Sequence, residues 1–214
     1  MKHYTTFLFD FDGTLLNSNH HVISCFQHAF REVLGVELPE KTITDTFGIP
    51  LAEALENLAP EHAEALLQSY RKQSDAVGFS LLSPIDGAHD TLRALKRLGC
   101  TTAIVTSKKE VNARAQMAHI GITNDIDLLV GPEKTSAHKP DPAPVLYTLQ
   151  ALGVTPEECL MIGDSPNDIL CGKNAHVDTA GVRFTAVHLD SLIASAPTLM
   201  IDHLSELVPL AKRR

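Results

Sequence analysis

Two short runs place paired carboxylates directly after apolar segments. In Phe9-Asp10-Phe11-Asp12-Gly13-Thr14 the aspartates stand at i and i+2, and in Ile162-Gly163-Asp164-Ser165-Pro166-Asn167-Asp168 they stand at i and i+4. On extended chain an i, i+2 pair points both carboxylates the same way, roughly 6–7 Å apart. One such carboxylate can attack phosphorus or carbon to form a covalent intermediate. A second, when protonated, can serve a leaving oxygen and then activate water. Gly13 permits the turn that brings backbone close to a ligand. Four converging carboxylates repel one another unless a hard cation sits among them, and Mg²⁺ with oxygen ligands is its natural identity. Each aspartate also has an ordinary reading as a loop or helix-cap residue, and Asp164 or Ser165 can cap the helix that follows.

Two further pieces suit an anion. Thr106-Ser107-Lys108 follows Ala103-Ile104-Val105, so hydroxyls and backbone N–H groups sit at a strand-to-helix turn, a ready phosphate site or a plain N-cap. In His138-Lys139-Pro140-Asp141-Pro142, Pro140 biases Lys139 to extended backbone, from which its side chain can reach an anion or the first aspartate, although taken alone it reads as a surface lysine.

The elements that must position these groups follow from the hydrophobic pattern. Strand-like runs cover residues 5–11, 101–106, 126–130, 159–162 and 179–182. Helical patterns fall between and after them, over residues 88–98, 110–120, 142–152, 167–175 and 188–196. Such alternation predicts an α/β fold, a Rossmann-like parallel sheet with helices on both faces. Gly99, Gly121 and Gly153 each follow a helical run as C′ candidates. Leu199-Met200-Ile201 and residues 204–210 predict an edge strand and a closing helix. Residues 19–77 hold helical patterning only, in runs 20–34, 51–58 and 60–76, and read as a helical insert between the first strand and the rest of the core.

Composition excludes other classes. The chain has 214 residues, 44% hydrophobic and 21% charged, within the globular range, which argues against disorder. A net charge of −8 without a Lys/Arg cluster argues against nucleic acid and anionic membranes as main partners. The four cysteines (Cys25, Cys100, Cys159, Cys171) form no C-x-x-C pair and read as buried thiols of a cytoplasmic protein. No segment approaches the apolar length of a membrane span.

In chain order the sequence carries D-x-D-G-T, T-S, K-P and G-D-x-x-x-D, three of them after strands. This ordered set resembles the haloacid dehalogenase-like (HAD) hydrolase superfamily over essentially the whole chain. Ser69-Tyr70-Arg71, Lys139-Pro140-Asp141-Pro142 and Thr179-Ala180-Gly181-Val182 are similar to the phosphoglycolate phosphatase and small bacterial pyrophosphatase group. The resemblance implies a core of residues 1–16 and 84–214 and a helical cap of residues 17–83. It implies Asp10 as nucleophile and Asp12 as acid and base. Mg²⁺ would be held by Asp10, Asp164 and the Asp12 backbone carbonyl, with Asp168 as ligand or outer partner. Thr106, with Ser107 and Gly13, would hold the phosphoryl group, and Lys139 would neutralise it and Asp10. The expected activity is hydrolysis of a small phosphorylated metabolite, phosphoglycolate first and pyrophosphate second.

Asp12 argues against carbon–halogen hydrolysis, which needs no acid for a leaving oxygen, and no set of cap groups suggests a phosphomutase. The sequence departs from the group's pattern at Asn17-Ser18, where relatives have Asp-Ser, and at Asp86, where they have Pro. His20-His21, at the cap entrance near the D-x-D turn, could contact substrate but reads first as a surface pair at a helix start. Arg31, Lys41, Arg71 and Lys72 are the cap cations that could meet a distal anion, and otherwise are solvated. Gly48-Ile49-Pro50 resembles a cap loop over the site. Lys212-Arg213-Arg214 reads as a solvated tail.

Overall fold

In this computed structural model the chain is described at residues 2–184 and 189–212. Strand β1 (Thr6–Phe9) leads through a loop to β2 (Leu16–Asn17). Helices α1 (Asn19–Leu34), α2 (Glu40–Thr44), α3 (Leu51–Leu58) and α4 (Ala63–Val77) come next, and β3 (Ser83–Pro84) returns the chain. Then α5 (Ala88–Arg97), β4 (Thr101–Val105), α6 (Glu110–His119), β5 (Leu128–Val130) and α7 (Ala143–Leu152) alternate. The series closes with β6 (Cys159–Gly163), α8 (Pro166–Asn174), β7 (Asp178–Val182), α9 (Leu189–Ala194) and β8 (Leu199–Ile201). A 3₁₀ segment, Leu204–Leu210, lies where a closing helix is expected. His188, expected at a helix start, and Arg213-Arg214 lie outside the described residues.

Six strands form one parallel sheet in the order β5-β4-β1-β6-β7-β8. The first strand lies inside it, so its Thr-Phe-Leu-Phe run is buried throughout. Alternate residues feed opposite faces: Phe7, Phe9, Ile104, Leu160 and Ile162 pack on one side, and Leu8, Ala103, Val105 and Met161 on the other. The carboxyl ends of β1, β4 and β6 therefore emerge together along one edge, and a doubly wound sheet gathers its ligands there.

The helices of residues 19–77 bury a third apolar group of their own, centred on Phe26, Ala29, Phe30, Ile43, Leu55 and Leu66. The two chain crossings into and out of it are tied by a two-stranded antiparallel ribbon, with Leu16 opposite Pro84 and Asn17 opposite Ser83. Helix α1 ends where Gly35 takes a left-handed φ of 68° and its N–H bonds to the Arg31 carbonyl.

Several expected bounds shift. The first strand stops at Phe9 and not at Phe11, because Phe11 turns into the core and its carbonyl accepts the N–H groups of Leu15 and Leu16. The helical run 60–76 splits into a 3₁₀ turn, Pro60–His62, and α4. Among the described residues no helix is long and apolar enough to cross a membrane.

Candidate active site

Asp10 sits one residue past β1, its backbone N–H bonded to the Ile162 carbonyl of β6 at 2.8 Å. That bond fixes it between β1 and the Gly163-Asp164 turn. Ser165 caps α8, and the Asp168 side chain returns the bond to the Ser165 N–H at 3.1 Å, a reciprocal capping box with Pro166 in the first turn. Capping and site construction are the same event here, since the box points Asp168 inward. One Cβ placed on Gly163 would fall 2.2 Å from the Asp168 Cβ.

Lys139 joins the two carboxylates. Its Nζ donates to Asp10 Oδ1 at 2.6 Å, to Asp168 Oδ1 at 2.5 Å and to the Val105 carbonyl at 3.1 Å. The lysine side chain is 4% exposed and that of Asp168 1%. Burial works against the ammonium, but Asp10 and Asp168 outweigh it and hold Lys139 above the usual lysine range. Burial pushes the Asp10 carboxyl up to about 7, with Asp168 adding to the rise and Lys139 opposing it. Asp164 is likewise pushed well above the carboxylate range, by burial first and by Asp10 and Asp168 next.

Carboxylate oxygens of Asp10, Asp164 and Asp168 all lie within 4.8 Å of one another. Ligands of a small octahedral cation at about 2.1 Å stand about 3 to 4.2 Å apart, so this donor set fits one. Gly13 (φ 78°) supports the fit, because a Cβ there would sit 2.1 Å from Asp164 Oδ2 and push that carboxylate away. Three carboxylates converge, however, and not four. The Asp12 carboxylate is turned aside, its Oδ1 accepting from Ser18 Oγ at 2.5 Å and from Lys108 Nζ at 2.6 Å. A lysine thus supplies the positive charge that a cation was expected to give the Asp12 carboxylate.

These groups open into a cleft of about 890 Å³ between the sheet edge and the helices of residues 19–77. Asp10, Asp12, Gly13, Thr106, Ser107, Lys139, Asp164 and Asp168 all line it. Thr106 Oγ1 accepts the Lys108 N–H at 3.1 Å, while the buried Ser107 Oγ has no hydrogen-bond partner. The Gly48 loop closes against the core, with its carbonyl accepting from Asn167 Nδ2 at 3.2 Å.

Of the four cations singled out within residues 19–77, Arg71 lines the cleft, whereas Arg31 pairs with Glu37, Lys41 with Asp45 and Lys72 with Glu32. His21 departs from the surface reading: it is 4% exposed, lines the cleft and meets Ser74 Oγ at 3.0 Å through Nε2, while His20 stays exposed. Sequence reasoning also missed Lys108 as a site residue. Its signal was available, as the third residue of the Thr106-Ser107 turn, but adjacent lysines in a loop read as solvent-facing.

Residues 7–182 match the profile of the haloacid dehalogenase-like hydrolases. The chain belongs to that family. A Clostridium perfringens protein provisionally assigned as pyrophosphatase PpaX is 38% identical over 206 residues, covering 96% of each chain. Pyrophosphatase PpaX of Halalkalibacterium halodurans is 33% identical, covering 96% of this chain and 95% of its own. A Bacteroides fragilis crystal structure, provisionally assigned as a haloacid dehalogenase-like hydrolase, superposes with a TM-score of 0.88 at 27% identity, covering 95% of this chain and 99% of that one. The chain is a hydrolase enzyme of this family, and its fold is the family's α/β sheet.

Proposed function

We propose that this hydrolase is a Mg²⁺-dependent phosphohydrolase working through an aspartyl-phosphate on Asp10, with inorganic pyrophosphate as first substrate. The observation that carries the chemistry is the buried Asp10 carboxylate, held at 2.6 Å by Lys139 beside Asp164 and Asp168 at the sheet edge. Pyrophosphate is preferred over phosphoglycolate because the named relatives that span 96% of this chain are pyrophosphatases.

In this reading Asp10, Asp164 and the Asp12 carbonyl hold Mg²⁺, and Asp168 stands beside them as ligand or support. Bound there, the ion would offset the charge shared by the nucleophile and the phosphoryl oxygens. Lys139 keeps Asp10 ionised and oriented, and adds its own charge toward the phosphoryl group. Thr106, Ser107 and the Gly13 turn present hydroxyl and N–H groups to the phosphoryl oxygens. An Asp10 oxygen then bonds to phosphorus as the bridging P–O bond breaks. The bonding pair leaves with the bridging oxygen, which takes the Asp12 proton. Asp12, now a carboxylate, removes a proton from water as that water attacks phosphorus and frees Asp10. The helices of residues 17–83 act as a cap that excludes bulk water from this exchange. A cytoplasmic setting suits the four buried free thiols.

The test is phosphate release from pyrophosphate, phosphoglycolate, nucleotides, sugar phosphates and an aryl phosphate, with and without Mg²⁺. Mg²⁺-dependent turnover with the highest kcat/KM on pyrophosphate is expected. Preference for phosphoglycolate would overturn the substrate, and no Mg²⁺-dependent release from any would overturn the chemistry.

A further inference from the structure

The site holds a second buried-side cation that the catalytic scheme above leaves without a task. Lys108 reaches Asp12 Oδ1 at 2.6 Å and Gln116 Oε1 at 2.5 Å, and its Nζ lies 5.4 Å from the centre of the Phe11 ring. Gln116 is buried on α6, and the Ser18 hydroxyl, just past β2, donates to the same Asp12 oxygen. The ammonium is therefore held between the loop after β1 and helix α6, with a side chain only 19% exposed in the wall of the cleft. Two of its three N–H groups are accounted for by Asp12 and Gln116.

The two lysines divide the site. Lys139 serves the nucleophile, whereas Lys108 serves the residue that hands a proton to the leaving oxygen. In phosphoryl transfer the attacking and leaving oxygens stand roughly in line across phosphorus. A cation bound to Asp12 is thus placed on the leaving-group side. We infer that Lys108 is a specificity residue which favours substrates whose leaving group carries an anionic group besides the bridging oxygen.

This inference rests on the phosphohydrolase reading and extends it to a substrate class. When the bridging bond of pyrophosphate breaks, its electron pair goes to the departing phosphate and the Asp12 proton joins that oxygen. The remaining oxygens of the departing phosphate carry the charge that Lys108 meets with its third N–H. Glycolate leaving from phosphoglycolate brings a carboxylate to the same place. Nitrophenolate spreads its charge into a ring and needs little such help. The charge that Lys108 meets is carried by the bound substrate as well as by the departing group, so its effect is read in kcat/KM, with KM rising when it is removed.

The experiment measures kcat and KM on pyrophosphate, phosphoglycolate and 4-nitrophenyl phosphate with Mg²⁺, for the wild type, Lys108→Met and Lys108→Arg, with melting curves alongside. Lys108→Met should lower kcat/KM on pyrophosphate and phosphoglycolate by about 100-fold, the usual scale for one lost electrostatic donor. Its loss on the aryl phosphate should be at least about tenfold smaller, and Lys108→Arg should recover most of the difference. Equal losses on all three substrates would overturn the inference, leaving Lys108 as a support for Asp12 alone. Should Lys108→Met fail to fold, Gln116→Leu frees the ammonium and should move the same ratio in the same direction, and no movement overturns the inference. A wild type active on phosphoglycolate but not on pyrophosphate refutes the pyrophosphate reading, while the phosphoglycolate-to-aryl ratio still decides Lys108. A wild type active on the aryl phosphate alone refutes both.

Discussion

Replacing Lys139 by Met keeps the length of the side chain and removes its charge from the most buried part of the site. Three contacts go with it, to Asp10 at 2.6 Å, Asp168 at 2.5 Å and the Val105 carbonyl at 3.1 Å. Asp168 is 1% exposed, so no water replaces the lost partner easily. Breaking a buried pair from one side costs about 3–5 kcal/mol. At about 2–4 °C per kcal/mol for a chain of this size, the melting temperature should fall by roughly 6–20 °C.

The loss has a pH signature. Lys139 lowers the Asp10 carboxyl against burial, so its removal lets that group rise beyond about 7. An acid whose folded-state value is raised stabilises below its unfolded value and loses that contribution as pH rises through the folded one. The gap between variant and wild type should therefore be wide at pH 8 and narrow at pH 5.5 in metal-free buffer. Differential scanning calorimetry of both proteins at the two pH values measures it. A variant melting within a degree or two of the wild type at pH 8, or a gap independent of pH, would refute the argument that Lys139 holds these carboxylates in charge balance.

The same linkage predicts how Mg²⁺ acts on the wild type. Asp10 is raised to about 7 and Asp164 well above its usual range, so protons compete with the ion and its stabilising effect should grow from pH 5.5 to pH 8. A thermal shift equal at both values would contradict this. Gly13→Ala combines a left-handed φ of 78° with a Cβ 2.1 Å from Asp164 Oδ2. It should cost about 1–2 kcal/mol and weaken Mg²⁺ by at least about tenfold in a thermal-shift titration. Asp12→Asn should abolish turnover yet keep the Mg²⁺ shift, because its carboxylate faces Lys108 and not the acidic cluster. Loss of that shift would place the Asp12 side chain among the metal ligands.

The sheet was legible because its inner strands are short apolar runs closed by aspartates, as at Phe9-Asp10 and Gly163-Asp164. What escaped was decided by turn and side-chain contacts that leave no period in the sequence. Phe11 continues the alternation of β1 but leaves the strand, since its carbonyl ends two bonds from the Leu15-Leu16 turn. The ribbon of β2 and β3 has two residues per strand, too few for any period to register. The burial of His21 depends on Ser74, 53 residues on, and the inward turn of Lys108 depends on Asp12 and Gln116. Lys139 was easier to read, because Pro140 restricts the backbone just where the side chain must reach. The distinction between Asp10 and Asp12 is the sharpest lesson: two residues apart, they answer to different lysines.

Trapping the phosphoryl group shows whether Asp10 carries it. Wild-type protein turning over pyrophosphate with Mg²⁺ is quenched in acid within the first turnover, and its peptides are mapped by mass. One added phosphoryl group is expected on the peptide holding Asp10, and none on that peptide from Asp10→Asn. Phosphate found on another residue, or steady turnover by Asp10→Asn, would contradict Asp10 as its carrier.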